Sequence, residues 1–165
     1  VKTVTYAFLY GAGDQRIGQA YDKQLSDDEQ RKKGKEIRKA YVDAIPGLKE
    51  LLEAVHKASE KGYVLGLDKR RILVDSKHKS LNYLLQGSAA VIAKRWLLLT
   101  NEILPKTARQ LAFIHDELQF EVHKKEVNDL KFTLEFSAVK SGEYYNLRVP
   151  IAAESKTGNN WSEVH

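Results

Sequence analysis

The stretch "LAFIHDELQFEV", residues 111–122, constrains this chain most. Apolar residues run up to His115, Asp116 and Glu117, then resume in strict alternation. Alternation at period two demands β-strand, and two such runs around a polar triplet read as strand–turn–strand. The spacing predicts Phe113 and His115 on one side and Leu118, Phe120 and Val122 on another, with Asp116 at the bend. Most other apolar residues recur at three and four, so the hairpin has to be fitted among helices. That is an α+β chain, helices first and then a small antiparallel sheet packed with helices.

Residues 1–10, "VKTVTYAFLY", read as the end of a helix closed by Gly11 and Gly13. A short helix is expected from Asp14 to Tyr21. Ser26 and Glu29 form a capping box that opens a charged helix to about Ala44. Pro46 opens the next helix, whose stripe is Leu48, Leu51, Leu52 and Val55, and Gly62 stops it. "YVLGLDKRRILV", 63–74, reads as a short hairpin around Gly66 to Lys69. Residues 77–103 read as one long helix with the stripe Leu81, Leu84, Leu85, Ile92, Trp96 and Leu99, ended by Pro105. Helix returns over 124–140 and stops at Gly142. "LRVPIAAES", 147–155, reads as a closing strand at a sheet edge because of Pro150.

A length of 165 residues is enough for a real core. With 42% apolar and 30% charged residues, the chain is expected to be soluble and globular. Its longest apolar candidate, Val91 to Leu99, is broken by Lys94 and Arg95 and falls short of the roughly 18 residues that span a bilayer. No membrane partner is expected. Cysteine is absent, which excludes disulfides and thiolate metal sites and fits a reducing, cytoplasmic compartment. Methionine is absent too, even at position 1, so the chain reads as a piece of something longer or a processed product. A net charge of +5 and a pI near 9.2 have the sign that nucleic acid requires.

Three polar constellations carry chemistry. Asp116 at a sheet bend is either ordinary turn chemistry or a rigid carboxylate gripping a hard cation such as Mg²⁺. Asp116 and Glu117 are adjacent and diverge, so they do not share one ion equally. Lys2, Tyr6 and Tyr10 fall at i, i+4 and i+8 on one helical face. They are either a solvated lysine with core aromatics, or a phosphate-binding charge one turn before flat rings, which suits a nucleotide. His78, Asn82 and Gln86 repeat the same spacing on the long helix. They are either a solvated face or donors to the acceptors that every base pair shows in the minor groove. The hairpin with Lys69, Arg70 and Arg71 offers phosphate contacts.

With these stretches in hand, the chain resembles the C-terminal polymerase region of family A DNA polymerases, most of all those of short-tailed bacteriophages. "KTVTYAFLYGAGDQRIG" is similar to the family's motif B. "IHDE" is similar to motif C, usually Val-His-Asp-Glu. "LNYLLQGSAAVI" is similar to the Asn-x-x-x-Gln-Gly segment between them, and "VPIAAESKTGNNW" to the closing strand and tail. The resemblance covers essentially the whole chain, in order. It implies DNA-directed DNA polymerisation with deoxynucleoside triphosphates and primer–template DNA as partners and two Mg²⁺ ions as cofactor. It implies Asp116 as metal ligand, His115 at the primer 3′ end and Glu117 nearby in a lesser catalytic role. Lys2 would bind the triphosphate and protonate the leaving pyrophosphate. Tyr6 would lie on the sugar and Tyr10 near the templating base. Asn82 and Gln86, with His78 in their row, would track the minor groove, and Arg70 and Arg71 the backbone. Residues 1–76 would be the C-terminal part of the fingers, and 77–165 a part of the palm.

Two departures qualify this. The Arg that precedes the motif B Lys by four falls before Val1. The family's motif A, which supplies a second catalytic Asp, has no match, and Glu117, Glu121 and Glu154 are poor substitutes. The chain is therefore expected to be inactive alone and to need an N-terminal polymerase portion, in cis or in trans. The alternative is a non-catalytic nucleic-acid-binding or polymerase-accessory module. A phage source would place it in bacterial cytoplasm.

Overall fold

The computed structural model describes residues 2–164; Val1, His165 and the side chain of Lys2 lie outside the described part. The chain divides into two compact units, 1–87 and 88–165, at a point inside its longest helix. No described helix is long and apolar enough to cross a membrane.

The first unit is built mostly of helices: α1 (Lys2–Leu9), α2 (Asp14–Tyr21), α3 (Asp27–Ala44) and α4 (Leu48–Ser59). Gly11, at φ +70°, turns the chain out of α1 in a region that only glycine enters freely. The Glu29 carboxylate accepts from the Ser26 N–H at 2.9 Å and from its hydroxyl at 2.6 Å, the expected cap of α3. Strands β1 (Tyr63–Leu65) and β2 (Arg71–Leu73) pair antiparallel, Tyr63 opposite Leu73. A 3₁₀ turn, Lys77–Lys79, then leads into α5 (Ser80–Glu102), so the long helix starts three residues later than its sequence period suggests. Val55, Val64 and Leu81 form the core, packed by Leu9, Leu52, Ile72, Val74 and Leu84. Leu51, expected in this stripe, is 46% exposed, and Leu85 is exposed as well. Neither counts among the residues packed on that core, to which α4 turns Leu52 and Val55 and α5 turns Leu81 and Leu84.

Glycine also sets how α2 and α3 meet. A Cβ on Gly34 would lie 1.7 Å from the Asp14 carbonyl oxygen, and one on Gly18 1.8 Å from that of Gln30. The two backbones therefore touch, and Ile17 is fully buried beside the contact. Arg38 locks it, donating at 2.6 Å to the Asp14 carboxylate and at 2.6 Å to the Ala12 carbonyl.

The second unit holds the rest of α5, the hairpin β3 (Arg109–Ile114) and β4 (Glu117–Glu121), and α6 (Val127–Tyr144), entered through a 3₁₀ turn at Lys124–Glu126. A four-residue α7 (Trp161–Val164) closes the described chain. The Trp96 indole donates to the Leu134 carbonyl at 2.8 Å, tying α5 to α6. Glu126 ties the base of the hairpin, accepting from the Thr107 N–H and hydroxyl at 3.1 and 2.8 Å. The Thr107 hydroxyl accepts from the His123 N–H at 3.0 Å.

Three expectations are corrected here. Phe113 and Leu118 are direct cross-strand partners, so they share a face rather than opposing each other. Gly142 does not stop α6: the helix runs on to Tyr144, and Gly142 is buried because a Cβ there would meet Ile151 at 2.8 Å. Residues 147–155 form no strand. A strand needs a ladder partner, Pro150 removes one donor, and the β3–β4 sheet among the described residues has two strands only.

Candidate functional site

The first unit brings two of the three constellations together. Tyr6 and Tyr10, 47% and 52% exposed, stack with ring centroids 6.0 Å apart and planes 15° from parallel. They present flat rings outward on one face of α1, where a core role would have buried them. Lys2 opens that helix, and its side chain lies outside the described residues. Gly11 lies against the 3₁₀ turn that leads into α5: a Cβ there would meet the His78 carbonyl oxygen at 2.9 Å. The tyrosine face therefore ends beside the beginning of the polar row.

That row is not a single helical stripe. His78 sits in the 3₁₀ turn and engages the Ser76 hydroxyl at 3.0 Å. A 3₁₀ turn advances about 120° per residue against 100° in an α-helix. His78 is thus rotated away from Asn82 and Gln86, which do share a face of α5. Gln86 is exposed, and Asn82 is half-buried with its Oδ1 buried and without a partner. An unsatisfied buried acceptor costs stability and gives no structural return.

The β1–β2 hairpin packs on the same helix, Ile72 filling the space over Gly87 that a Cβ would occupy. Arg71 is exposed and lies 4.9 Å from the centroid of the Tyr63 ring. Arg70 is exposed and pairs with Asp68. Loss of hydration pushes the Asp68 carboxyl up, but the N–H and guanidinium of Arg70 outweigh it and hold the group below its ordinary value. Lys69 closes the turn at φ +66°.

The third constellation lies in the second unit. Ile114 pairs with Glu117, which leaves His115 and Asp116 as the whole of a two-residue turn. His115 has φ +55°, whereas Asp116 is not among the described residues with positive φ. A positive φ at the first position alone is the sign pattern of a type II′ turn, which takes glycine there. Histidine tolerates it better than most residues and still carries strain. His115 and Asp116 are both exposed, and the Asp116 side chain makes no hydrogen bond or ion pair among the described residues. Glu117 accepts from the Gln119 side chain. Among the described residues no group of three or more His, Asp or Glu side chains comes together. Sequence reasoning missed the Arg38–Asp14 clamp and the Gly18–Gly34 contact that hold α2 against α3. Their signal was present as two glycines inside otherwise regular helices.

The chain matches the profile described as DNA polymerase family A over residues 1–163. It is 31% identical over 189 positions to the DNA-directed DNA polymerase of Enterobacteria phage T3 and 32% identical over 174 to that of Escherichia phage Phieco32, with 99% of the chain covered in both. It is 31% identical over 179 positions to DNA polymerase I of Bacillus caldotenax. The chain spans 26% and 27% of the length of the two phage relatives and 19% of the Bacillus one. In three dimensions it is similar to the POL domain of Pol1 from M. smegmatis, solved in complex with DNA primer-template and dNTP. That match has a TM-score of 0.74 and 26% identity over 91% of this chain and 28% of that one. With the family profile spanning all but its last two residues, the chain belongs to DNA polymerase family A.

Proposed function

We propose that this chain is the fingers-and-palm portion of a DNA-directed DNA polymerase. Residues 1–76 then belong to the fingers and 77–165 to the palm, and deoxynucleoside triphosphates and primer–template DNA are the partners. The observation that carries the reading is the bend at His115–Asp116, where a strained histidine stands in a glycine position and presents an exposed carboxylate. Strain of this kind clusters at functional sites.

In the reaction, the primer 3′-oxygen bonds to the α-phosphorus of the triphosphate, the α–β anhydride bond breaks, and pyrophosphate leaves. The hydroxyl proton departs as the new bond forms. Tyr6 holds the incoming sugar and Tyr10 the templating base on the exposed ring face of α1. Lys2 neutralises the triphosphate and protonates the leaving group. His115 orients the primer end, and Glu117, held by Gln119, supports the bend. Asn82 and Gln86 donate to minor-groove acceptors without reading sequence, His78 contacts the DNA from the 3₁₀ turn before them, and Arg70 and Arg71 contact phosphates.

Asp116 fits a Mg²⁺ site as one ligand, since Mg²⁺ keeps several waters and takes one or two carboxylates plus substrate phosphates. Two such ions, when bound, would stabilise the attacking and leaving oxygens. The second bridging carboxylate is not supplied by a cluster among the described residues. In this reading an N-terminal polymerase portion, in cis or in trans, supplies that carboxylate, and a phage enzyme of this kind acts in bacterial cytoplasm. Asp116→Asn in the assembled enzyme tests the reading. Nucleotide incorporation should fall by at least about 10³-fold while primer–template affinity changes less than about twofold. Substantial remaining activity would refute the assignment.

A further inference from the structure

The contact between α2 and α3 creates a feature that the proposed function leaves unused. A cavity of about 440 Å³ is lined by Gly13, Asp14, Gln15, Arg31, Lys32 and Lys35. Arg31, Lys32 and Lys35 are exposed and have no ion-pair partner among the described residues. Asp27 and Asp28, one turn earlier on α3, pair with none of them. The acid in the cavity wall, Asp14, is already taken by Arg38. The glycine contacts seat the backbone of α3 directly on that of α2, so the three cations rise from one packed wall, a ledge.

A second cavity of about 740 Å³ shares Gly13 with the first and carries Arg16, Lys23 and Lys79 with Gln19 and the exposed ring of Tyr10. Six cations thus flank one glycine, with aromatic surface at one end. Basic grooves with stacking rings suit single-stranded nucleic acid, whereas an acidic peptide needs no rings. Building on the polymerase reading, we propose that the Arg31–Lys32–Lys35 ledge takes the backbone phosphates of the unpaired template strand. The strand would leave Tyr10, pass Gly13 and lie along α3.

The test uses the full 165-residue chain and fluorescein-labelled primer–templates with template overhangs of two or ten thymidines, read by anisotropy. The wild type should bind the long overhang on the order of tenfold more tightly at low salt. Replacing Arg31, Lys32 and Lys35 together by Gln should erase that advantage and leave short-overhang affinity unchanged. The dependence of log affinity on log salt should flatten by about 2, the share of three phosphates on a single strand. Replacing the exposed Lys49, Lys57 and Lys61 by Gln removes the same charge elsewhere and should preserve the advantage, and circular dichroism of both variants checks their folding. An overhang advantage that survives in the ledge variant overturns the proposal while leaving the polymerase reading intact, as does equal loss in both variants. So does an oligoglutamate peptide that binds the wild type more tightly than the long overhang and loses binding in the ledge variant, which makes the ledge a protein dock. If neither primer–template binds the wild type, the polymerase reading falls with it.

Discussion

His115 shows how a single residue can hold a strained backbone at a turn. Its φ of +55° would suit glycine. Replacing it by Gly relieves about 1 kcal/mol of strain, and the freer unfolded chain offsets much of that gain. Net stability should stay within about 0.5 kcal/mol of wild type. His115→Val forces a β-branched residue into the same region and should be at least about 1 kcal/mol less stable than the Gly variant in urea unfolding. Equal stabilities would mean the turn is not strained. Asn82 repeats the pattern with an orphaned acceptor. Asn82→Leu removes the unsatisfied oxygen and should hold or raise stability by about 1 kcal/mol, yet it should weaken primer–template binding. A large loss of stability would show that the Asn82 amide serves the fold.

At the scale of elements, capping and period explain what could be read in advance. The boundaries of α2 and α3 were legible because Gly13, Ser26 and Glu29 are local signals. The bonds from the Ser26 hydroxyl and then its N–H hold the Glu29 carboxyl below its ordinary value of 4.5. A lowered folded pKa means the cap's contribution is complete above the unfolded value and is lost as pH falls through the folded one. Acidification below about pH 4.5 should therefore weaken α3, and Glu29→Gln should flatten that part of the profile when followed by circular dichroism. Glu126 is lowered by the Thr107 hydroxyl and N–H in the same way and should loosen the base of the β3–β4 hairpin over the same range. Close packing was not legible. Gly142 looked like a stop, but the space over it belongs to Ile151, and nothing within a few residues of Gly142 says so. Gly34→Ala places a methyl group 1.7 Å from a carbonyl oxygen and should cost about 1–3 kcal/mol or more, whereas Gly13→Ala, with open space above it, should cost far less.

For the whole molecule, the motifs were legible and their partition was not. Tyr6, Tyr10, Asn82, Gln86 and Asp116 stand out by residue type and spacing, because the chemistry proposed for them needs those groups. The division inside α5, at residues 87 and 88, leaves no mark in a helical period that runs straight through it. Residues 147–155 read as a strand because alternation records two-sidedness, whereas a strand exists only when something lies beside it. The same logic governs activity. Two-metal phosphoryl transfer needs carboxylates that bridge both ions, and the described residues bring no three His, Asp or Glu side chains together that could hold a metal. The isolated chain should therefore bind primer–template in a salt-dependent way and extend it at no measurable rate. Adding a polypeptide that carries the remaining length of a phage relative should restore templated synthesis, and should fail to do so when Asp116 is Asn. Extension by the chain alone, in a preparation freed of host polymerase, would place the second carboxylate within these 165 residues and overturn the division of labour proposed here.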